Sequence, residues 1–159
     1  MAKMLVAYYS RTKHTRHMAE EVAEGAKAEG GLEVECKEVK NVPAKDLLKY
    51  DAIVLGSPTY YGGMAAEVKK LLDESVAFHG QLEGKVGGAF SSSGNIGGGN
   101  ETTILDILQG LLIHGMVVQG TASGDHYGPV AIGDVDDRAR KECRKLGRNV
   151  AALTKRLHG

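Results

Sequence analysis

"MLVAYYSRTKHTRHMAEEV", residues Met4–Val22, joins three kinds of chemistry in nineteen positions. Met4–Tyr9 is a short, continuous apolar run, the pattern of a strand buried on both faces. Six residues of hydroxyls and cations follow, Ser10-Arg11-Thr12-Lys13-His14-Thr15. Met18, Val22 and Ala26, with Ala19 and Ala23 beside them, then recur at helical spacing, while Glu20, Glu21 and Glu24 take the other face and Gly30-Gly31 ends the helix. A buried strand that enters a helix through a polar turn opens a strand–helix–strand unit.

The alternation continues along the chain. Leu32, Val34 and Cys36 alternate with Glu33, Glu35 and Lys37, as in a strand nearer the sheet edge. Val42–Tyr50 is expected as a short helix opened by Pro43. "AIVLG", Ala52–Gly56, is the most strand-like segment. Ala65–Val76 reads as a helix with Val68, Leu71 and Leu72 inward, and Lys85–Ser91 as a strand diluted by glycine. Thr102–His114 reads as a helix with Ile104, Leu105, Leu108, Leu111 and Leu112 inward, and Met116–Val118 as the last strand. A final helix runs from about Val135 to Leu157, its core stripe Ala139, Cys143, Leu146, Val150, Leu153 and Leu157. Five such alternations mean an α/β fold: a parallel sheet with right-handed crossovers and helices on both faces. "SSSGNIGGGN" (Ser91–Asn100) and "TASGDHYGPVAIG" (Thr121–Gly133) are the looser pieces.

The 159 residues fit one domain, 1–159, with a single core. Lys+Arg and Asp+Glu balance at 20 each, so charge offers no argument for nucleic acid or a membrane surface. Cys36 and Cys143 match no metal spacing and read as buried thiols of an intracellular protein. The N-terminal apolar run is too short for a signal peptide, and no stretch is long enough to span a bilayer. A cytoplasmic domain is expected.

In open α/β sheets, ligands bind beyond the carboxyl ends of the strands. After strand one, Ser10–Thr15 puts hydroxyls, Arg11 and Lys13 at a helix N-terminus, whose free N–H groups suit an anion such as phosphate. An ordinary helix start capped by Thr12 or Thr15 fits the same residues. The turn carries no GxGxxG, so a dinucleotide fingerprint is absent. After strand three, "GSPTYYGGM" (Gly56–Met64) sets two tyrosines between Pro58 and Gly62-Gly63, either a stacking platform for a flat ring or a cover for the sheet end. After strand four, the small residues of "SSSGNIGGGN" allow close backbone approach to a ligand, and Asn95 offers an amide; a plain linker is the other reading. Phosphate, stacking and backbone donors on one edge describe a mononucleotide with a large planar ring, and FMN suits them better than AMP.

These residues resemble the flavodoxin superfamily and, within it, the WrbA type of FMN-dependent NAD(P)H:quinone oxidoreductases. Ser10, Arg11, Thr12, Lys13, His14 and Thr15 are similar to the phosphate loop of both groups, with Lys13 where both usually carry Gly. "SPTYYGGM" is similar to the Pro-Thr-aromatic-Gly loop, which implies that Pro58, Thr59, Tyr60, Tyr61 and Gly62 meet the isoalloxazine. "FSSSGNIGGGNETT" is similar to the third flavin loop, carrying Ser92, Ser93, Gly94, Asn95, Ile96 and Gly97. "LLIHGMVV" is similar to the segment that bears a histidine near the flavin, which implies His114 as the one catalytic candidate. As a lone residue behind a helical apolar face, His114 reads as structural.

The resemblance implies a flavodoxin-like three-layer fold with five parallel strands in the order 2-1-3-4-5, and FMN as cofactor. It implies electron passage from NAD(P)H to a quinone-like acceptor. The alternative is a carrier that exchanges single electrons with protein partners, so the donor is NAD(P)H or a protein. WrbA-type chains are longer before strand three and after strand five than "VKNVPAKDLLKYD" and "ASGDHYGPVAIGD". The longer segments help build a tetramer, so the homo-oligomer that the resemblance implies is left open between dimer and tetramer.

His14 and His17 sit three apart at a helix start without further ligands, so no metal is expected. Arg138, Arg140, Lys141, Arg144, Lys145 and Arg148 read as a solvated face of the last helix, with docking of an acidic partner as the other reading. Asp125-His126-Tyr127-Gly128 reads as a polar connection or as an approach to the flavin or a neighbouring subunit.

Overall fold

A computed structural model describes residues 1–159. The opening stretch becomes strand β1 (Ala2–Tyr8), a turn, and helix α1 (His14–Glu29). Strand β2 (Leu32–Glu38) follows, and then β3 (Ala52–Tyr60), which folds back on the two-residue strand β4 (Gly63–Met64). Helix α2 is Ala66–Glu74, strand β5 is Val86–Ser93 and helix α3 is Asn100–Ile113. Two short strands, β6 (Val117–Val118) and β7 (Val130–Ile132), precede helix α4 (Asp137–His158).

The sheet order is β2-β1-β3-β5-β6, all parallel. Numbered by the five main strands alone, this is the order expected of the resemblance. The sheet divides the core in two. Met4, Val6, Val54 and Phe90 face α1 and α4, whereas Leu5, Ala7, Ile53 and Leu55 face α2 and α3. Strict alternation along β1 and β3 is what a sheet covered on both faces requires. The α1–α4 layer packs most closely. A Cβ on Gly25 would overlap the Arg144 backbone, and one on Gly147 would overlap the Val22 carbonyl, so these two glycines set the helix separation. Around this seam, Glu21 accepts from Arg140 Nε at 3.2 Å and from Arg144 Nε at 2.6 Å. With Arg138 bonded to Asp125 and Lys145 to the Ser123 carbonyl, four of the six residues of the expected solvated basic face of α4 work within the fold.

Several expectations are corrected. The short helix expected over Val42–Tyr50 is a 3-10 helix, Ala44–Lys49, and a separate 3-10 turn, Val39–Asn41, precedes it. Pro43 opens this helix as its N-cap, in an extended conformation, as expected, but the six residues that follow take the tighter 3-10 winding used in short pieces. On α3 the inward face is Ile104, Ile107, Leu108 and Leu111, while Leu105 and Leu112 are exposed. Leu157, at the last turn of α4, projects past the sheet and is half exposed. Cys143 is buried and its thiol is pushed up to about 12 by burial, but Cys36 is exposed on edge strand β2.

Met116–Val118 is only half of the last edge position. β6 pairs with the start of β5 (Val86↔Val117), and β7 pairs with its end (Ser91↔Val130, Ser93↔Ile132). The chain leaves the edge after Val118 and returns at Val130. Asp125 anchors the excursion: its carboxylate accepts from Arg138 Nη1 at 2.9 Å and from the Val130 N–H at 2.9 Å. Asp125-His126-Tyr127-Gly128 is thereby turned towards α4.

Candidate functional site

The carboxyl ends of β1, β3 and β5 converge on one cavity of about 530 Å³, a size ordinary for small-molecule sites. Arg11, Thr12, His14 and Thr15 line one side, Pro58, Thr59 and Tyr60 a second, and Ser92, Ser93 and Gly94 a third. Three loops separated in sequence by dozens of residues thus meet as expected from strand order. Ser10, Lys13, Tyr61, Gly62, Asn95, Ile96 and Gly97 stand outside this lining.

The N-cap residue of α1 makes no side-chain cap hydrogen bond. It is Lys13, held at φ 72°, so the Thr12 and Thr15 capping reading fails. Lys13 keeps the left-handed path that glycine would follow, at a cost of about 1–2 kcal/mol for a residue with a Cβ. Thr15 faces the sheet instead, and its hydroxyl shares a buried hydrogen bond of 2.9 Å with Ser92. Ser10 Oγ accepts from the Arg16 N–H at 3.3 Å in an exposed bond. None of the backbone N–H groups of Arg11–Thr15 donates to a backbone carbonyl. Free helix-start donors, exposed Arg11 and a threonine hydroxyl are the chemistry an anion needs.

Behind the cavity lies a lattice of hydroxyls. Thr59 Oγ1 and Ser91 Oγ share a hydrogen bond of 3.0 Å, and Thr103 Oγ1 lies 3.2 Å from Thr59 Oγ1. Ser93 Oγ accepts from Asn100 Nδ2 at 3.0 Å and donates to the Asn95 carbonyl at 3.0 Å. These contacts hold the β5–α3 loop and the β3 end in register. Thr103 and Asn100 carried no sequence signal beyond their place at a helix start.

The tyrosine loop is a hairpin turn. Thr59 pairs with Met64 and Tyr60 with Gly63, leaving Tyr61-Gly62 as the two-residue connection with φ 49° and 80°. Positive φ at both positions is the type I′ pattern that suits the twist of a tight hairpin. Tyr60 stacks edge-on against Tyr9, with ring centroids 6.3 Å apart at 77°. Tyr61 is fully exposed, so of the two only Tyr60 reaches the cavity wall. Gly62 touches the third loop: its carbonyl accepts from Thr102 Oγ1 at 3.0 Å, and a Cβ on Gly99 would press on Gly62 Cα at 2.9 Å. Ile96 stands 90% exposed on a turn closed by Gly98 N–H to Asn95 O at 3.2 Å, with Gly97 at φ 69°.

His114 is not part of this site. It follows α3 and precedes β6, which starts level with the beginning of β5, so it lies at the amino-terminal edge of the sheet. There it is buried, and its ring packs near Phe78 and His79. Ser75 Oγ donates to the Leu72 carbonyl at 2.6 Å, so the 2.7 Å contact with His114 Nε2 is an N–H donated by the imidazole. Nδ1 is left buried without a partner. Burial, helped by the neighbouring His79, lowers the His114 pKa. Helical connection, not loop proximity, separates His114 from the strand ends.

Sequence reasoning missed Gly133, which lines the cavity just past β7, and the neighbouring pair His17 and Asp134, in contact at 2.8 Å. The signal was "PVAIG": three apolar residues between Pro129 and Gly133. No helix of the chain is long and apolar enough to cross a membrane.

Comparisons with known proteins agree with this architecture. Residues 5–101 match the family described as flavodoxin domain. A flavodoxin of Aquifex aeolicus (strain VF5) is 41% identical over 159 residues, 95% of this chain and 86% of the relative. An NAD(P)H dehydrogenase (quinone) of Bradyrhizobium diazoefficiens is 36% identical over 200 aligned residues, spanning all of both chains. The alignment is longer than this chain, so that relative carries insertions. Among solved structures, a flavodoxin, WrbA-like protein from Agrobacterium tumefaciens superposes with a TM-score of 0.81 at 26% identity, covering 99% of each chain. A flavodoxin from the domain Archaea gives 0.78 at 29% identity, covering 96% of this chain and 99% of its own. The anion-ready turn, the aromatic hairpin and the hydroxyl-backed third loop therefore stand in a known setting: the chain belongs to the flavodoxin family, with a relationship to its WrbA type, and FMN is its cofactor.

Proposed function

We propose that this chain is an FMN-dependent oxidoreductase that takes electrons from NAD(P)H and passes them to a quinone-like or other small acceptor. Bound FMN supplies the redox chemistry, and the protein binds it, orients it and sets its surroundings. The turn Ser10–Thr15 would hold the phosphate through its free N–H groups, Arg11 and the Thr12 hydroxyl, with Lys13 and His14 adding positive charge at the mouth. Pro58, Thr59, Tyr60, Tyr61 and Gly62 would border the isoalloxazine on one side, and Ser92, Ser93, Gly94, Asn95, Ile96 and Gly97 on the other.

The observation that carries the reading is the exposed apolar mouth: fully exposed Tyr61 and 90% exposed Ile96 stand on two neighbouring loops. Two such side chains, on loops joined by the Thr102–Gly62 hydrogen bond, suit a second flat ring laid against the first. Exposed Lys13, in no ion pair, favours an anionic donor such as a dinucleotide. We further propose a cytoplasmic location.

The second reading is a carrier of single electrons between protein partners. Short connecting segments favour it, as does Gly62, whose backbone freedom would let its peptide turn towards the reduced ring. The deciding experiment is the visible spectrum of the FMN-loaded protein during anaerobic addition of NADH. Bleaching at a catalytically useful rate supports the oxidoreductase. A flavin that stays yellow with NADH and NADPH but is reduced by dithionite sinks it in favour of the carrier.

A further inference from the structure

We infer that His17 and Asp134 form a clamp that holds the β7–α4 turn over the phosphate end of the cofactor site, making them positioning residues for FMN. The inference rests on the proposed seating of the phosphate at the β1–α1 turn.

The two residues are 117 positions apart and meet at 2.8 Å between His17 Nδ1 and Asp134 Oδ1. A carboxylate only accepts, so the imidazole Nδ1–H donates. Oδ1 also accepts from the Val135 N–H at 2.8 Å, which fixes the carboxylate against its own turn. The His17 hydrogen bond, with the backbone bond to Val135 next, lowers the Asp134 pKa. Each partner has a neighbour in the cavity wall. His17 lies one turn along α1 from His14, and Asp134 directly follows Gly133.

The return strand explains why a clamp is needed. β7 is three residues long and is held to β5 along one side, ending with Gly133 N–H donating to the Ser93 carbonyl at 2.8 Å. Beyond Gly133, at φ 68°, the chain leaves the sheet and must turn to begin α4. His17, in the first turns of α1, is the side chain that meets this turn. The pair therefore ties the last segment of the wall to the first, closing the ring of loops around the phosphate end. Both side chains are about half exposed, so their effect belongs to cofactor retention more than to global stability.

The test is a fluorescence titration of apoprotein with FMN and, separately, with riboflavin. The variants are His17→Ala, Asp134→Ser, their double, and His17→Asn. Serine retains an acceptor for Val135 N–H but is too short to reach His17, and asparagine retains a donor near the Nδ1 position. Each single variant should weaken FMN binding about three- to ten-fold, the double no more than either single, and His17→Asn should recover most of the loss. Apoprotein melting curves should stay unchanged. Single variants that bind FMN as tightly as wild type, or losses that add in the double, overturn the clamp. Equal binding of riboflavin and FMN by the wild type would instead overturn the phosphate seating, so the two failures are distinguishable.

Discussion

The hydroxyls of Thr15 and Ser92 lie 2.9 Å apart in a buried hydrogen bond between the first helical turn and the end of β5. This bond joins the anion-binding turn to the third loop beneath the cavity, so each loop's position depends on the other. Thr15→Val removes the hydroxyl, keeps the shape, and leaves Ser92 without that partner. Buried groups left unpaired cost about 1–3 kcal/mol. The variant should lose stability of that order in urea unfolding and bind FMN more weakly in fluorescence titration. Unchanged affinity would separate the two loops energetically.

Lys13 occupies a left-handed conformation that lysine adopts only with strain. Lys13→Gly relieves it and gives back part of the gain as unfolded-chain entropy, for a net stabilisation of up to about 1 kcal/mol. The apoprotein melting temperature should rise by a few degrees. A fall would show that the lysine side chain contributes more than its backbone strain removes.

Gly147→Ala places a methyl where α4 meets the Val22 carbonyl of α1. The neighbour is backbone on both helices, so the layer must open rather than a side chain turn aside. Overpacking of this kind costs about 1–3 kcal/mol, occasionally more. A chemical denaturation midpoint equal to wild type would mean that the α1–α4 seam is looser than its geometry.

His114 titrates below its ordinary value, through burial and then His79. A histidine whose folded pKa is depressed is neutral in both states above the unfolded value near 6.5. As pH falls below that, the unfolded chain takes up the proton more readily than the folded one, so stability declines. The decline continues until the folded pKa is passed. Unfolding free energy measured from pH 7.5 to 5 should fall more in wild type than in His114→Gln. The same variant should bind FMN normally, because His114 lies at the far edge of the sheet from the cavity; weakened binding would contradict its position.

Fold class was legible because it rests on local pattern, and the strand order followed from the resemblance. Met4–Tyr9 and Ala52–Gly56 are apolar without interruption, since strands covered on both faces have no solvent side. Helices between them oblige parallel pairing, and parallel pairing gathers the strand ends on one edge. From that the three loops that line the cavity were legible in the sequence, with Arg11 among them, while Thr59 and Ser92 came with the resemblance.

The remainder depended on contacts between distant positions. Which of Tyr60 and Tyr61 faces the cavity follows from the register of a hairpin, where one step reverses a side chain. His114 looked close to the site by resemblance, yet a helix of fourteen residues carries it to the opposite edge. Strand β7 is too short to announce itself, because its three residues gain their stability from pairing with Ser91–Ser93 rather than from their own pattern. With β7 came Gly133, and with the turn after it the contact of Asp134 with His17. Local sequence encodes periodicity and backbone preference; the meeting of side chains 117 positions apart exists only once packing has brought two elements together.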